Sequence, residues 1–181
     1  MVAVPEAPVS APVVVIAAGR PVVPPYGRAV AVIVNAVELL RPESDLVRLA
    51  EGFPEVELLI VTDDGGGTDA GDGLDDDLDD DLDGPGDALR ADAARLGLPG
   101  LHLHRLGLSS PLPAEAEGDL VAALSELIGF DPEPGVYCVA PTPEPGDPDS
   151  GAVSRAAERV AQVYGIPLLR YRSPELLPAC G

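Results

Sequence analysis

Residues 135–172 have the sequence GVYCVAPTPEPGDPDSGAVSRAAERVAQVYGIPLLRYR, and this stretch decides the fold class. Two short apolar runs, GVYCVA and IPLLRY, flank a loop and the segment AVSRAAERVAQVY. Small and apolar residues recur in that segment at helical spacing, while its charged residues take the other side. Neither apolar run shows the polar alternation of a half-exposed strand. The order strand, loop, helix, strand predicts a βαβ unit whose helix covers a parallel sheet.

Both ends of this helix carry residues with well-defined conformational preferences. Asp147 or Ser150 can accept hydrogen bonds from the first unpaired helical N–H groups, and Pro148 suits the first turn. Gly165 can adopt the left-handed conformation that ends a helix, and Pro167 prevents the helix from resuming. The sequence therefore delimits the helix on both sides.

Further strands and helices are predicted along the rest of the chain. The strands are at 13–17, 56–62 and 101–106, and the helices at 42–52, 88–98 and 120–130. Segment 29–40, AVAVIVNAVELL, is ambiguous: its length favours a buried helix, whereas Val30, Val32 and Val34 favour a strand. We expect a helix there by a small margin. About five strands alternating with helices predict a three-layer α/β fold, Rossmann-like or flavodoxin-like, with a mostly parallel sheet and helices on both faces.

The length of 181 residues suits a single domain, which we place at 12–178, after a flexible arm at 1–11. The net charge of −20 is unevenly distributed, because twelve of the 31 acidic residues lie within 63–87. This Asp-rich segment is predicted to be a solvated, disordered insertion. The competing interpretation is a site that folds around cations or a basic partner. The negative charge argues against binding to nucleic acid or to anionic membranes.

Several features favour a cytoplasmic setting. Pro, Gly and Arg interrupt every apolar run before it reaches the length of a membrane span, and the first residues lack the basic region of a signal peptide. Two cysteines do not make a disulfide framework. Cys138 lies within an apolar run and is predicted to be a small buried hydrophobe, whereas Cys180 is predicted to be exposed.

The candidate site follows from the fold class, because open α/β sheets bind ligands outside the carboxyl ends of their strands. The chain has no G-x-G-x-x-G motif, and without any Lys it cannot form a standard phosphate-binding P-loop. Acid–base groups are predicted at Asp63, Asp64 and Asp149. Ligand-binding groups are predicted at Gly19, Arg20, Arg28, Ser109, Ser110, Thr142, Asp147 and Ser150. Either of the two arginines can hold an anion, and Asp63 or Asp64 can hold a sugar hydroxyl or a metal.

His102 and His104 form an H-x-H pair in a predicted strand. Strand alternation places both side chains on one face, which is the spacing that a pair of metal ligands requires. A divalent metal is the one cofactor that this pattern predicts, with Asp63 or Asp64 as further ligands. The alternative is a packed or surface-exposed pair without a metal.

The turn DPDSG, which leads into a helix that ends in YGIPL, resembles the corresponding turn of the nucleoside deoxyribosyltransferase family. The resemblance covers roughly 20 residues and implies a Rossmann-like fold, with cleavage of N-glycosidic bonds by a Glu on this helix. In this sequence that place holds Arg155, and Glu158 follows one turn later. Because the reactive residue differs, we assign no family on this basis.

Two functions fit these observations. The first is a site for a small molecule, either a nucleotide, a sugar or another anionic metabolite, with at least two of the acids in one pocket with Arg20 or Arg28. The second is a noncatalytic regulatory or oligomerisation module, for example a homodimer, whose acidic loop meets a basic partner or cations. The fold class favours the first function by analogy. Whether the protein is an enzyme is left open by the sequence.

Overall fold

The structure, a computed structural model, describes residues 13–15, 27–40, 45–62 and 100–172. The strands in these ranges are β1 (Val13–Val15), β2 (Arg28–Ile33), β3 (Glu55–Thr62), β4 (Leu101–Leu108), β5 (Val136–Pro141) and β6 (Leu168–Tyr171). The helices are a 3-10 helix (Ala36–Leu40), α1 (Asp45–Ala50), α2 (Ala116–Ile128) and α3 (Pro148–Tyr164). The predicted arm at 1–11, the acidic insertion at 63–87 and the predicted helix at 88–98 lie outside the described residues.

The strands form one sheet in the order β1-β6-β5-β2-β3-β4, and every neighbouring pair is parallel. Helices α2 and α3 pack on one face through Leu120, Leu124 and Val160. The 3-10 helix and α1 pack on the other face, where Leu39 and Leu46 are buried. Parallel sheets bury both faces under the helices of their crossovers. The prediction of a three-layer α/β fold is therefore confirmed.

The expectation of a helix at 29–40 is wrong, because its first half is β2, which lies between β5 and β3. Val30 and Val32 pack towards α2 and α3, whereas Ala31 and Ile33 pack towards the other helical layer. A strand buried on both faces is a continuous apolar run without alternation, so periodicity could not distinguish it from a buried helix. The helical geometry is confined to the 3-10 helix that follows.

The βαβ unit predicted at 135–172 is confirmed, because β5, α3 and β6 follow in that order and the two strands are parallel neighbours. Asp147 is the residue that caps α3, Pro148 is in its first turn, and Gly165 ends it with a left-handed φ of 66°. Helix α2 begins four residues before the predicted 120–130 and ends before Gly129, whose φ is 87°. A residue without a side chain adopts this conformation readily, and the helix stops there.

Candidate functional site

The carboxyl ends of β2 and β5 meet where the chain changes direction across the sheet. These two strands are parallel neighbours. After β2 the chain continues to β3 on one side, and after β5 it continues to β6 on the other side. In open α/β sheets, ligands bind in the crevice between two such strands. We call this place the carboxyl-edge crevice; residues 34–40 follow β2 there, and residues 142–147 follow β5.

The N-terminus of α3 borders the crevice and carries its own carboxylate. Asp147 Oδ1 accepts hydrogen bonds from the backbone N of Asp149 at 3.0 Å and of Ser150 at 3.1 Å. The Ser150 hydroxyl donates to the Asp147 carbonyl at 3.0 Å and accepts from the backbone N of Glu144 at 3.3 Å. A phosphate at this helix end would have to displace the Asp147 carboxylate, because the N–H groups that usually bind anions are already paired.

Asp149 is buried and connects the loop after β4 to the first turn of α3. Its Oδ2 accepts from Ser110 Oγ at 2.7 Å, and its Oδ1 accepts from the backbone N of Leu112 at 2.8 Å. The loop after β4 is thereby fixed to the first turn of α3. Both carboxylate oxygens are engaged, so the geometry gives this predicted acid–base group a positioning role. Ser109, which precedes Ser110, is exposed.

Glu38, in the 3-10 helix, joins the end of β2 to β6. Its Oε1 accepts from the backbone N of Val34 at 3.0 Å, and its Oε2 accepts from the Tyr171 hydroxyl at 2.8 Å. The same hydroxyl lies 3.2 Å from the carbonyl oxygen of Val32. Burial raises the pKa of Tyr171 well above its ordinary value, and the charge and hydrogen bond of Glu38 add to the effect. The phenol therefore stays protonated and acts as a donor.

Asn35 is the second residue after β2, at the crevice. Its Oδ1 is buried without a hydrogen-bond partner, and it is the one such side-chain atom within the described ranges. Neighbouring groups are paired, since the carbonyl of Val34 accepts from both the backbone N and the Oγ1 of Thr62 at 2.8 Å. An unpaired buried acceptor costs about 1–3 kcal/mol. The sequence did not indicate Asn35 because the helix expected there concealed the end of the strand.

The other predicted site residues are distributed between the two edges of the sheet. Thr142 lies at the carboxyl edge, where its backbone N donates to the Tyr171 carbonyl at 2.7 Å. Arg28 begins β2 and therefore lies at the opposite, amino edge, where its Nη2 donates to the Ile128 carbonyl at 3.0 Å. Of the two arginines that were candidates for a pocket with the acids, Arg28 is therefore at the other edge of the sheet. The remaining predicted residues, namely Gly19, Arg20, Asp63 and Asp64, lie outside the described residues.

His102 and His104 lie on the same face of β4, because the leucines that alternate with them pack into the core on the other face. His104 Nε2 is 2.6 Å from Glu57 Oε2 on the neighbouring strand, whereas His102 is exposed. Across the part of the chain that the structure describes, no three His, Cys, Asp or Glu side chains are placed to hold a metal ion. At the predicted metal site, the described residues therefore form a pair of His104 and Glu57, and no third ligand among them completes the site.

Cys138 is fully buried in β5, as predicted. Burial raises the pKa of its thiol to about 12, although the positive charge of Arg170 opposes the shift. A thiol that stays protonated is a poor nucleophile. Cys138 therefore has a packing role, while the predicted exposure of Cys180 falls outside the described residues.

Arg155 and Glu158, the α3 residues nearest to the position of the Glu in the deoxyribosyltransferase family, both form ion pairs. Arg155 is exposed, and its Nε donates to Glu117 Oε2 at 3.4 Å. Glu158 Oε2 accepts from Arg170 Nη2 at 3.1 Å, and the same guanidinium donates to Ser154 Oγ. Arg155 has no carboxylate, and the carboxylate of Glu158 is engaged by Arg170. The geometry thus gives no support to glycosidic cleavage by a Glu of this helix.

Comparisons with protein-family models, with curated proteins and with solved structures give no match to this chain. Among the described residues, no helix is long and apolar enough to cross a membrane. The candidate site is thus defined by its own geometry: the crevice between β2 and β5, the buried and unpaired Oδ1 of Asn35, and the carboxylates on the segments that border the crevice.

Proposed function

We propose that the protein binds a small, uncharged, hydroxyl-bearing molecule, such as a sugar or a nucleoside, in the carboxyl-edge crevice. The observation that carries this proposal is the buried Asn35 Oδ1 without a partner, at the position where open α/β sheets bind ligands. Buried polar atoms in native proteins are paired with protein groups, water, ions or ligands. A hydroxyl or N–H group of a ligand is a suitable donor for this oxygen.

The charges around the crevice support an uncharged ligand over a phosphorylated one. The first N–H groups of α3 are occupied by Asp147, and the carboxylates of Glu38 and Asp149 lie on the bordering segments. An anionic ligand would meet these acids, and the paired N–H groups of Asp149 and Ser150 would not offset the repulsion. These charges support a sugar or a nucleoside as the ligand over the nucleotide or other anionic metabolite that the sequence also allowed.

The test is a thermal-shift and calorimetric comparison of free sugars and nucleosides with their phosphorylated counterparts. We expect an unphosphorylated compound to raise the Tm and its phosphorylated counterpart to have little effect. Asn35→Ala is expected to weaken binding about tenfold through loss of one buried hydrogen bond. Because Asn35 Oδ1 makes no bond in the free protein, the same substitution should leave the Tm without ligand unchanged or higher.

The matched control is Gln162→Ala, which removes an exposed amide from α3. It should alter neither binding nor stability. The proposal is refuted if no sugar or nucleoside stabilises the wild-type protein, or if Asn35→Ala binds the ligand as tightly as the wild type. A fall in the Tm of ligand-free Asn35→Ala by more than that of the control would also contradict it, since it would reveal a structural role for the amide.

A further inference from the structure

A cavity lies at the amino edge of the sheet, on the side opposite to the carboxyl-edge crevice. Its volume is about 340 Å³, and its wall includes the first residues of β2, β3 and β5 and the loop between α2 and β5. This volume is at the lower end of the range that is usual for pockets that bind small ligands. We call it the amino-edge cavity; the side chains that matter below are Arg28, Glu55, Ile128, Asp131, Glu133 and Val136.

The loop that forms one wall of the cavity is held in place by backbone contacts. The backbone N of Arg28 donates to the Gly135 carbonyl at 3.0 Å, and that of Val136 donates to the Glu133 carbonyl at 3.3 Å. Two prolines, Pro132 and Pro134, fix the backbone between them. The cavity is therefore formed in advance of any ligand, which reduces the entropy lost on binding.

The charges of the cavity wall are arranged with one cation among three acids. Arg28 is half-buried, and its guanidinium donates to the carbonyl of Ile128 at 3.0 Å. Glu55, Asp131 and Glu133 line the same cavity and are exposed. No carboxylate of the described residues forms an ion pair with Arg28. Among the described residues, the Ile128 carbonyl is the one acceptor that the guanidinium contacts, so it retains N–H donors for a ligand beside carboxylates that can accept from a cation.

We propose that the amino-edge cavity binds a small zwitterion, a free amino acid or a related compound that carries both a carboxylate and an ammonium group. A planar carboxylate matches the donor geometry of Arg28, and an ammonium group matches the acids. A ligand with only negative charge is repelled by Glu55, Asp131 and Glu133, and one with only positive charge is repelled by Arg28. The buried side chains of Ile128 and Val136 provide the apolar surface for the hydrocarbon part of the ligand.

Calorimetric titration of the full chain with the standard L-amino acids tests this proposal. Each amino acid that binds is compared with the carboxylic acid that lacks its ammonium group and with the amine that lacks its carboxylate. We expect at least one amino acid to bind, and both counterparts to bind about tenfold more weakly, since each loses a charge-assisted interaction. Asn35→Ala should leave this binding unchanged, which separates this cavity from the carboxyl-edge crevice. The proposal is overturned if no amino acid binds, if a counterpart binds equally well, or if Asn35→Ala removes the binding.

Two kinds of variant locate the site. Arg28→Gln should weaken amino-acid binding about tenfold, and Arg28→Lys should restore part of the affinity because it keeps the charge. Because Arg28 also donates a hydrogen bond to Ile128, its replacement could disturb the fold. A substitution at Glu133, which is exposed, tests the site without that complication. Glu133→Gln should weaken binding of the amino acid and strengthen binding of its carboxylic-acid counterpart. An unchanged ratio of these two affinities in Glu133→Gln would overturn the proposal.

Discussion

Removal of the Asp149 carboxylate gives the sharpest test of how the crevice is held together. Asp149 is only 6% exposed, and its carboxylate accepts hydrogen bonds from the Leu112 backbone and the Ser110 hydroxyl. Asp149→Ala removes both acceptors at once. The backbone N–H of Leu112 then loses its partner, whereas Ser110 is exposed and water can replace the lost acceptor.

The magnitude follows from these two contacts. A hydrogen bond to a charged group contributes about 1.5–3 kcal/mol, and we assign about 2 kcal/mol to the contact with Leu112. The contact with Ser110, which water can replace, adds about 1 kcal/mol. Asp149→Ala should therefore lower the free energy of unfolding by about 3 kcal/mol, or the Tm by about 6–12 °C for a chain of this length. Asp149→Asn keeps an acceptor for Leu112 and should cost about 1 kcal/mol.

Urea unfolding followed by circular dichroism measures these differences through the midpoint and the slope of the transition. The matched control is Asp119→Ala, which removes an exposed acid from the first turn of α2 and should change the free energy by less than about 0.5 kcal/mol. A loss in Asp149→Ala that is no larger than that of the control would refute the reasoning. Equal losses in Asp149→Ala and Asp149→Asn would show that charge, and not the loop connection, is what matters.

Three further predictions concern the core and the backbone. Tyr171→Phe should lower the free energy of unfolding by about 2 kcal/mol, because the half-buried carboxylate of Glu38 loses its hydrogen-bond donor. Tyr164→Phe should change it by less than about 0.5 kcal/mol, and equal effects of the two substitutions in urea unfolding would contradict this. The free energy of unfolding should fall as the pH rises from 9 towards 12, because the unfolded chain releases the Cys138 proton that the folded protein retains. Cys138→Ala should make this dependence on pH less steep, and parallel pH profiles for the wild type and the variant would disprove the prediction. Gly100→Ala should destabilise the protein by more than about 1 kcal/mol, since the added Cβ would clash with the backbone carbonyl oxygen of Pro54. Gly118→Ala in α2 adds a Cβ that meets no atom and should stabilise the protein by about 0.5–1 kcal/mol, so Tm shifts of the same sign in the two variants would be evidence against this account.

The sequence was informative wherever the determining interactions are local. The cap at Asp147, the left-handed Gly165 and the period of α3 all depend on residues within a few positions of one another, and the predicted βαβ unit is confirmed. The sequence misled where two interpretations share the same pattern. A strand buried on both faces and a buried helix are both continuous apolar runs, so β2 was expected to be a helix.

The candidate site was predictable only as an edge of the sheet. The sequence indicated Thr142 and Asp149, which follow β5 in the loop and in the first turn of α3, because sheets of this class bind ligands there. It could not indicate that the carboxylate of Asp149 accepts hydrogen bonds from the loop after β4, since its partners Leu112 and Ser110 lie 37 and 39 positions away along the chain. Nor could it separate Arg28 from the carboxyl edge, because the direction of β2 was not known.

The sequence by itself determined the fold class, because apolar periodicity and helix-terminating residues specify strands and helices before any long-range contact forms. Tertiary structure alone decided which residues meet. Strand order brings β2 beside β5, so that Asn35 and its buried, unpaired Oδ1 lie after the switch point. It also places Arg28 in one cavity with three acids at the opposite edge. The physical reason is that hydrogen bonding and charge complementarity depend on distances in space, which in a parallel sheet are set by crossover connections rather than by separation along the chain.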